Sequence, residues 1–150
     1  MLLFYVRHGD PIYNPDSLTD LGQKQAEALV SRMKVCNPDK IYASSSNRAI
    51  LTAKPTAELL HKEIEILDWC NEKYVWRDFA IEDENHYKTW FFYQNSMRDL
   101  LNSMEIRNLD KCWYNHSKFY SYPFKKGFIR VHEETEKFML SLGYMNILVR

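Results

Sequence analysis

An arginine, a histidine and a glycine follow one another near the start of the chain, directly after the apolar run of residues 1–6. The guanidinium of Arg7 offers paired donors in the plane that a phosphate needs, and it keeps its charge near neutral pH. The neutral imidazole of His8 can attack phosphorus, and Gly9 lets the backbone turn sharply or approach a ligand closely. By itself the tripeptide is explained more simply as a polar turn after a strand. Other residues of the chain are needed to distinguish a ligand site from such a turn.

The apolar run before the tripeptide predicts a buried strand, because it is rich in β-forming residues and nothing in it alternates. Open α/β sheets bind their ligands at the carboxyl ends of their strands. Arg7 and His8 would stand at such an end. A strand here therefore predicts a ligand site rather than an arbitrary surface position.

A helix is predicted to begin at Thr19, whose hydroxyl suits the N-cap position and which precedes apolar residues at helical spacing. Gly22 lies in the first turn of this helix, where glycine lowers helix propensity. We therefore expect another part of the chain to approach the backbone at Gly22.

Residues 40–44 and 63–67 predict two further strands, separated by a helix that Ser45 or Ser46 can cap. Pro55 lies inside that helix and is expected to kink it or to end its first segment. The order strand, helix, strand, helix, strand predicts a parallel sheet with right-handed crossovers.

The middle of the chain is unusually aromatic, with 15 of the 22 Phe, Trp and Tyr residues between Tyr74 and Phe128. One helix is predicted over residues 90–104, and residues 108–122 show no sheet-like pattern. An insertion at about 74–128 is long enough to cover the ligand-binding end of a sheet. We expect most of its aromatic side chains to form a second small core.

Another helix is predicted from about Phe128 to Leu142, with Gly143 at the position where a glycine commonly follows a helix. Residues 145–150 are typical of the opening of a further strand. The 150 residues fall in the size range of a single domain, 1–150.

Composition excludes several classes of function. The chain has 20 basic and 20 acidic side chains, which argues against nucleic-acid or membrane-surface partners, both of which usually require a basic patch. Its three cysteines are far apart, and no cluster of potential ligands has metal-binding spacing, so we expect reduced thiols, no metal and no cofactor. No signal or membrane-spanning run is present, which favours the cytoplasm.

Four groups of residues, taken together and in order, resemble the histidine phosphatase superfamily of phosphoglycerate-mutase-like phosphatases and mutases, densely over residues 1–60. These groups are Arg7-His8-Gly9 with Asn14, Leu18 to Gly22 with Gln25-Ala26, Ser44 to Ala49, and Thr52-Ala53. The resemblance implies a three-layer α/β sandwich, a mostly parallel sheet with helices on both faces.

The resemblance also implies roles for six residues of this sequence. It makes His8 the nucleophile that accepts the phosphoryl group and Glu72 the acid/base carboxylate, with substrate-binding positions at Arg7, Gly9, Asn14 and Arg48. Asp68 or a carboxylate within residues 82–84 is an alternative to Glu72. The implied substrate is a small phosphorylated molecule.

The chain departs from the family pattern near its C-terminus. The family has a second catalytic histidine between a strand and a glycine, whereas His61, His86, His116 and His132 lie in other contexts, His116 being the least unsuitable. We expect the chain to end before that strand, which leaves an incomplete pocket and an unpaired sheet edge through which copies can associate.

Two classes of function follow from these residues. The first is a metal-independent phosphatase that forms phosphohistidine on His8, with a mutase as a variant of the same chemistry. The second is a non-catalytic protein that uses Arg7 and Arg48 to hold a phosphate or a phosphosugar. Loss of hydrolysis in His8→Ala would favour the enzyme.

Overall fold

The computed structural model describes residues 2–144 and divides into two compact units at the junction of Asn71 and Glu72. In the first unit, β1 and β2 form an antiparallel hairpin, and β3 pairs with β4 in parallel, with Ile41 opposite Ile64. The elements of this unit are β1 (Pro11–Tyr13), β2 (Asp16–Leu18), α1 (Asp20–Cys36), β3 (Ile41–Ala43), α2 (Asn47–Leu60), β4 (Ile64–Ile66) and a 3₁₀ turn (Asp68–Cys70). The prediction of parallel pairing between the strands on either side of α2 is confirmed.

The strand predicted over the apolar run at the start of the chain is wrong for the described residues 2–6. These residues are not paired with any strand, and they are exposed, Leu2 by 76% and Tyr5 by 96%. Apolar β-forming residues become a strand only when a neighbouring backbone completes their hydrogen bonds. No described residue forms these backbone hydrogen bonds with residues 2–6. The sequence pattern of a segment does not show whether such a partner strand is present.

Helix α1 begins as predicted, with Thr19 at its N-cap and the Thr19 hydroxyl accepting a hydrogen bond from the Gly22 N–H at 3.0 Å. The approach expected at Gly22 is also found. A Cβ on Gly22 would lie 2.3 Å from the carbonyl oxygen of Asp10, and a Cβ on Gly9 would lie 2.6 Å from the carbonyl oxygen of Gly22. The turn after His8 therefore packs backbone against backbone on the first turn of α1.

Helix α2 follows Ser46, as predicted, and then runs through Pro55 to Leu60. Of the two outcomes expected at Pro55, a kink or an end of the first helical segment, the second is wrong. Thr52 and Ala57, on either side of the proline, are both buried. Their packing stabilises both halves of α2 and outweighs the one backbone hydrogen bond that proline removes.

The second unit is built from short helices and one antiparallel hairpin, in which Ile81 lies opposite Thr89. Its elements in chain order are α3 (Glu72–Phe79), β5 (Ala80–Glu82), β6 (Lys88–Trp90), a 3₁₀ turn (Phe91–Tyr93), α4 (Asn95–Leu101), α5 (Met104–Arg107), two 3₁₀ segments (Asp110–Asn115 and Ser117–Phe119) and α6 (Phe124–Ser141).

The single helix predicted over residues 90–104 is wrong, because this stretch is divided among β6, a 3₁₀ turn, α4 and the start of α5. Phe91 and Leu100 are buried, whereas Tyr93 and Met104 are each 65% exposed. The apolar residues recur at helical spacing although they belong to different elements and face different environments.

A second small core of aromatic residues is present as expected, although it does not take up most of the aromatic side chains of the segment, since Tyr87, Tyr93 and Tyr120 are exposed. Phe119 and Phe124 are completely or almost completely buried, and the ring of Phe124 lies 4.7 Å from that of Phe91 and 5.4 Å from that of Phe119, centroid to centroid. The core also contains Ile81, Leu100 and Ile106. Such aromatic pairs add to the stabilisation that burial alone provides.

Helix α6 begins at Phe124, four residues earlier than the spacing predicts, because Phe124 belongs to this aromatic core. The helix ends as expected, with Gly143 at a φ of 86° and its N–H donating to the Leu140 carbonyl at 2.9 Å. The strand expected at residues 145–150 lies outside the described residues.

One carboxylate is deeply buried in the second unit. Asp78 of α3 is 2% exposed, and its oxygens accept hydrogen bonds from Arg77 at 2.8 Å and from Arg130 of α6 at 3.1 Å. Burial by itself raises the pKa of Asp78, but the hydrogen bonds and charges of the two arginines outweigh it and hold the pKa below its ordinary value of 3.8. The ionised carboxylate therefore links α3 to α6.

Within residues 2–144, no helix combines the length and the apolar character that a membrane crossing requires.

Gly22→Ala is expected to destabilise the first unit by about 1–3 kcal/mol, because the added Cβ overlaps the Asp10 backbone and this cost exceeds the gain in helix propensity. The measurement is the free energy of unfolding in urea. Gln23→Ala, at the next and exposed position of α1, is the matched control and should change stability little. Equal stability of the two variants would contradict the close approach.

Asp78→Asn is expected to lower the free energy of unfolding by about 3 kcal/mol at neutral pH, because it leaves two arginines without their buried partner. Since the pKa of Asp78 is lowered in the folded state, its contribution is present above 3.8 and is lost as pH falls below that value.

The acid limb of a stability–pH curve should therefore be shallower for Asp78→Asn than for the wild type. Asp99→Asn, at an exposed position of α4, is the control. Parallel acid limbs for the wild type and Asp78→Asn would show that the carboxylate is not held in its ionised form.

Candidate active site

The histidine of the first motif has a defined tautomer. Nδ1 of the half-buried His8 lies 2.7 Å from the carbonyl oxygen of Gly9. A carbonyl oxygen can only accept a hydrogen bond, so Nδ1 is the donor, and in the neutral form of the imidazole the lone pair then lies on Nε2. In that form Nε2 can act as a nucleophile.

Gly9 connects this histidine to helix α2. The buried Gly9 N–H donates to the Thr52 hydroxyl at 3.0 Å, and that hydroxyl donates to the carbonyl oxygen of Arg48 at 2.7 Å. Arg48 lies one helical turn before Thr52. Two hydrogen bonds therefore place the histidine turn beside the segment of α2 that carries the buried arginine.

The guanidinium of Arg48 is buried and oriented by the β1–β2 hairpin. Arg48 is 8% exposed, its Nη1 donates to Oδ1 of Asp16 at 2.7 Å, and its Cζ lies 5.1 Å from the centre of the Tyr13 ring. The carboxylate holds one edge of the guanidinium and the aromatic ring covers one face. This arrangement fixes the plane of a cationic group suited to a phosphate.

Asp16 also holds the start of α2 itself. Its Oδ2 accepts from the Asn47 N–H at 2.7 Å, and its carbonyl accepts from the Asn47 side-chain amide at 2.8 Å. Burial by itself raises the pKa of Asp16, but the hydrogen bonds from Arg48 and Asn47 and the charge of Arg48 bring the pKa below its ordinary value of 3.8. The Asp16–Arg48 pair is therefore ionised at neutral pH.

Arg7 and Asn14, the other predicted substrate-binding residues, are exposed. Asn14 occupies the turn between β1 and β2 and precedes Pro15 through a cis peptide bond. Arg7 has no hydrogen-bond or ion-pair partner among residues 2–144. The structure thus joins His8, Gly9 and Arg48 through hydrogen bonds, and it leaves Arg7 and Asn14 facing solvent.

The candidate acid/base carboxylates have different surroundings. Glu72 is the half-buried first residue of α3, in the second unit. Asp68 accepts a hydrogen bond from the Ser45 hydroxyl, which also accepts from the Asn71 side-chain amide at 2.9 Å. Asp83 is engaged in a turn, because its Oδ1 accepts from two backbone N–H groups of the β5–β6 connection. Asp83 is therefore the least suited of these carboxylates to proton transfer.

The remaining histidines have local structural contacts. His61 ends α2 in the left-handed conformation, and His86, also at positive φ, lies in the β5–β6 turn. Nδ1 of His116 accepts from the Lys118 N–H, and its Nε2 lies 3.1 Å from Glu105. His132 is exposed on α6, 3.6 Å from Glu136.

The lining of one surface depression does not include His8. A shallow surface depression at the C-terminal end of α2 is lined by Lys54, Ala57, Glu58, His61, Lys62, Glu63 and Ile64. Within residues 2–144, no group of three or more His, Cys, Asp or Glu side chains is arranged to hold a metal ion.

Asp16, Thr52 and Tyr13 contribute to this site, although no role is predicted for them from the sequence. Thr52 lies in one of the motifs that carry the family resemblance, so the sequence did contain a signal that this residue belongs to the site. Asp16 and Tyr13 lie more than 30 residues from Arg48 in sequence, and only the folded hairpin brings them to the guanidinium.

Comparison with solved structures gives matches of low identity. A phosphoserine phosphatase from Entamoeba histolytica in complex with 3-phosphoglyceric acid is 23% identical, with a TM-score of 0.43 over 65% of this chain and 50% of that chain. A mycobacterial glucosyl-3-phosphoglycerate phosphatase in complex with VO3 is 19% identical, with a TM-score of 0.39 over 71% of this chain and 67% of that one. Mycobacterial hydrolase 1 is 18% identical, with a TM-score of 0.40 over 75% and 67% of the two chains.

The chain spans half the length of the first of these structures and about two thirds of the other two. No curated protein matches the chain. The sequence model of the histidine phosphatase superfamily (branch 1) matches residues 3–96, which is more than half of the chain and includes the whole of the His8, Gly9, Thr52 and Arg48 arrangement. The chain therefore belongs to the histidine phosphatase superfamily.

Proposed function

We propose that the protein hydrolyses a small phosphomonoester through a phosphohistidine intermediate on His8. The observation that carries the proposal is the tautomer of this histidine, because the hydrogen bond from Nδ1 to the Gly9 carbonyl leaves Nε2 free to attack. The buried, oriented guanidinium of Arg48 supports the same conclusion. Membership of the histidine phosphatase superfamily agrees with both.

In the first step, Nε2 of His8 attacks phosphorus and the ester P–O bond breaks. The alkoxide that leaves takes a proton from a carboxylic acid, a role that we assign to Glu72 as the family resemblance implies. The imidazole becomes positively charged when the P–N bond forms, and the Gly9 carbonyl stabilises the Nδ1–H of this cation.

In the second step, water attacks phosphorus, the carboxylate of Glu72 takes the water proton, and the P–N bond breaks to regenerate neutral His8. Arg48 and Arg7 neutralise the charge on the equatorial oxygens in both steps, and Gly9 and Asn14 complete the phosphate site. Because guanidinium groups supply this positive charge, we propose chemistry that needs no metal and no cofactor.

Several finer expectations belong to this proposal. They are a three-layer sandwich with a mostly parallel sheet, an aromatic segment at about 74–128 that covers the phosphate site, a pocket left incomplete by the missing second histidine, and a cytoplasmic location. Association of copies through an unpaired sheet edge belongs here as well. The exposed apolar side chains of residues 2–6 support it, because such a segment can pair with a second chain.

A non-catalytic phosphate-binding protein is the competing function. The observation that favours it is that Asp16 orients the Arg48 guanidinium independently of His8, so that an anion can be held there without reaction. Phosphate binding without turnover would establish this function. Transfer of the phosphoryl group to a second hydroxyl compound rather than to water would instead indicate a mutase.

His8→Asn is expected to abolish hydrolysis of an aryl phosphate in buffer that contains EDTA and to remove the acid-labile phosphate that is trapped on the wild type by rapid quenching. The reason is that no other group replaces the imidazole nucleophile. His61→Asn is the matched control, because His61 is exposed and its positive φ is tolerated by asparagine.

Full activity of His8→Asn, or acid-labile phosphate on another histidine, would overturn the proposed mechanism. A wild-type protein that binds phosphate but never forms the acid-labile species would support the non-catalytic alternative.

Arg48→Lys is expected to weaken inhibition by inorganic phosphate and to lower kcat/KM by about tenfold to a hundredfold, because a lysine makes no bidentate contact with phosphate. The measurement is the inhibition constant of phosphate together with steady-state kinetics. Arg98→Lys, on the exposed surface of α4, is the control. An unchanged inhibition constant in Arg48→Lys would remove Arg48 from the phosphate site.

A further inference from the structure

Thr52 is part of the sequence pattern that the family shares, yet the proposed mechanism gives it no task. Its side chain is buried, with 6% of the residue exposed, and its hydroxyl accepts a hydrogen bond from the Gly9 N–H. We infer that Thr52 is a positioning residue that fixes the tautomer and the direction of His8 by holding Gly9. The effect on catalysis rests on the proposed function, whereas the effect on the tautomer does not.

Gly9 is fixed on three sides. Its N–H donates to the Thr52 hydroxyl at 3.0 Å, and its carbonyl accepts from Nδ1 of His8 at 2.7 Å. Its Cα lies against the first turn of α1, where an added Cβ would be 2.6 Å from the carbonyl oxygen of Gly22. A shift of Gly9 therefore moves the acceptor on which the protonation of Nδ1 depends.

The hydroxyl of Thr52 is directed so that it can accept from Gly9. A hydroxyl has one proton, and that of Thr52 is donated to the Arg48 carbonyl at 2.7 Å. The oxygen lone pairs are then available to the Gly9 N–H. A valine at this position keeps the shape of the side chain but offers no acceptor, and the buried N–H of Gly9 loses its partner.

The consequence reaches His8 through the Gly9 carbonyl. When the Gly9 N–H is no longer held, the peptide units on both sides of the residue can rotate, and the Nδ1–H of His8 loses its fixed acceptor. The imidazole then also populates the tautomer with the proton on Nε2, which has no lone pair on the attacking nitrogen. Thr52 thus acts on the rate of attack rather than on the affinity for phosphate.

The same helix provides a matched control. Thr56 lies one turn beyond Thr52 and is 4% exposed, and its hydroxyl has no hydrogen-bond partner within the described part of the chain. Thr56→Val therefore makes the same chemical change in the same helix without touching Gly9. Thr52→Ser keeps the hydroxyl and tests whether that group, rather than the γ-methyl, is required.

The experiment compares the wild type with Thr52→Val, Thr52→Ser and Thr56→Val. The tautomer of His8 is read from ¹⁵N NMR shifts of the free protein, with His8→Asn used to assign the signal. The rate of acid-labile phosphate formation on His8 and the affinity for inorganic phosphate are measured on the same samples.

We expect Thr52→Val to show a mixture of tautomers and to form phosphohistidine at least about tenfold more slowly, the effect of losing one hydrogen bond, with phosphate affinity unchanged. Thr52→Ser and Thr56→Val should match the wild type in all three measurements.

A wild-type tautomer in Thr52→Val would overturn the inference, and so would an equal shift in Thr56→Val. If Thr52→Val does not fold, Thr52→Ala removes the same acceptor with less bulk; unfolding of both variants would also refute a positioning role, since the hydroxyl would then hold the fold. Absence of phosphohistidine in the wild type would refute the proposed function alone, because the tautomer is measured without turnover.

Discussion

The first unit depends on a contact that only two glycines permit. Gly9 and Gly22 bring the turn after His8 and the first turn of α1 so close that either Cβ would overlap a backbone atom, at 2.6 Å and 2.3 Å. The contact matters because it is a steric requirement. It is a condition that allows the Asp10 carbonyl to accept from the Thr19 N–H and the Gly9 N–H to reach Thr52. The position of the imidazole follows from these bonds.

Both units use a carboxylate to orient arginine, at different depths. Asp78 is 2% exposed and bonds to Arg77 and Arg130, so its ion pairs stabilise the packing of α3 against α6. The Asp16 side chain is 32% exposed and bonds to one arginine. Water therefore reaches the carboxylate of Asp16 more readily than that of Asp78.

Local sequence signals predicted some elements well and others poorly, for physical reasons. Thr19 and Gly143 lie where predicted because capping depends on a few neighbouring residues and on one backbone conformation. The strand predicted over residues 2–6 failed because a strand needs hydrogen bonds from a distant segment. The helix predicted over residues 90–104 failed because its spacing arises from core residues of several separate elements.

The sequence by itself predicted a kind of chemistry for this protein. Through their resemblance to a known family, Arg7, His8, Gly9 and Arg48 predict a phosphate site and a histidine nucleophile, and planar cationic donors beside a nitrogen nucleophile suit that chemistry. The tertiary structure decided which carboxylate holds Arg48 and which hydroxyl holds Gly9. These depend on the directions of hydrogen bonds between segments 30 to 45 residues apart, and no local pattern of residues encodes such directions.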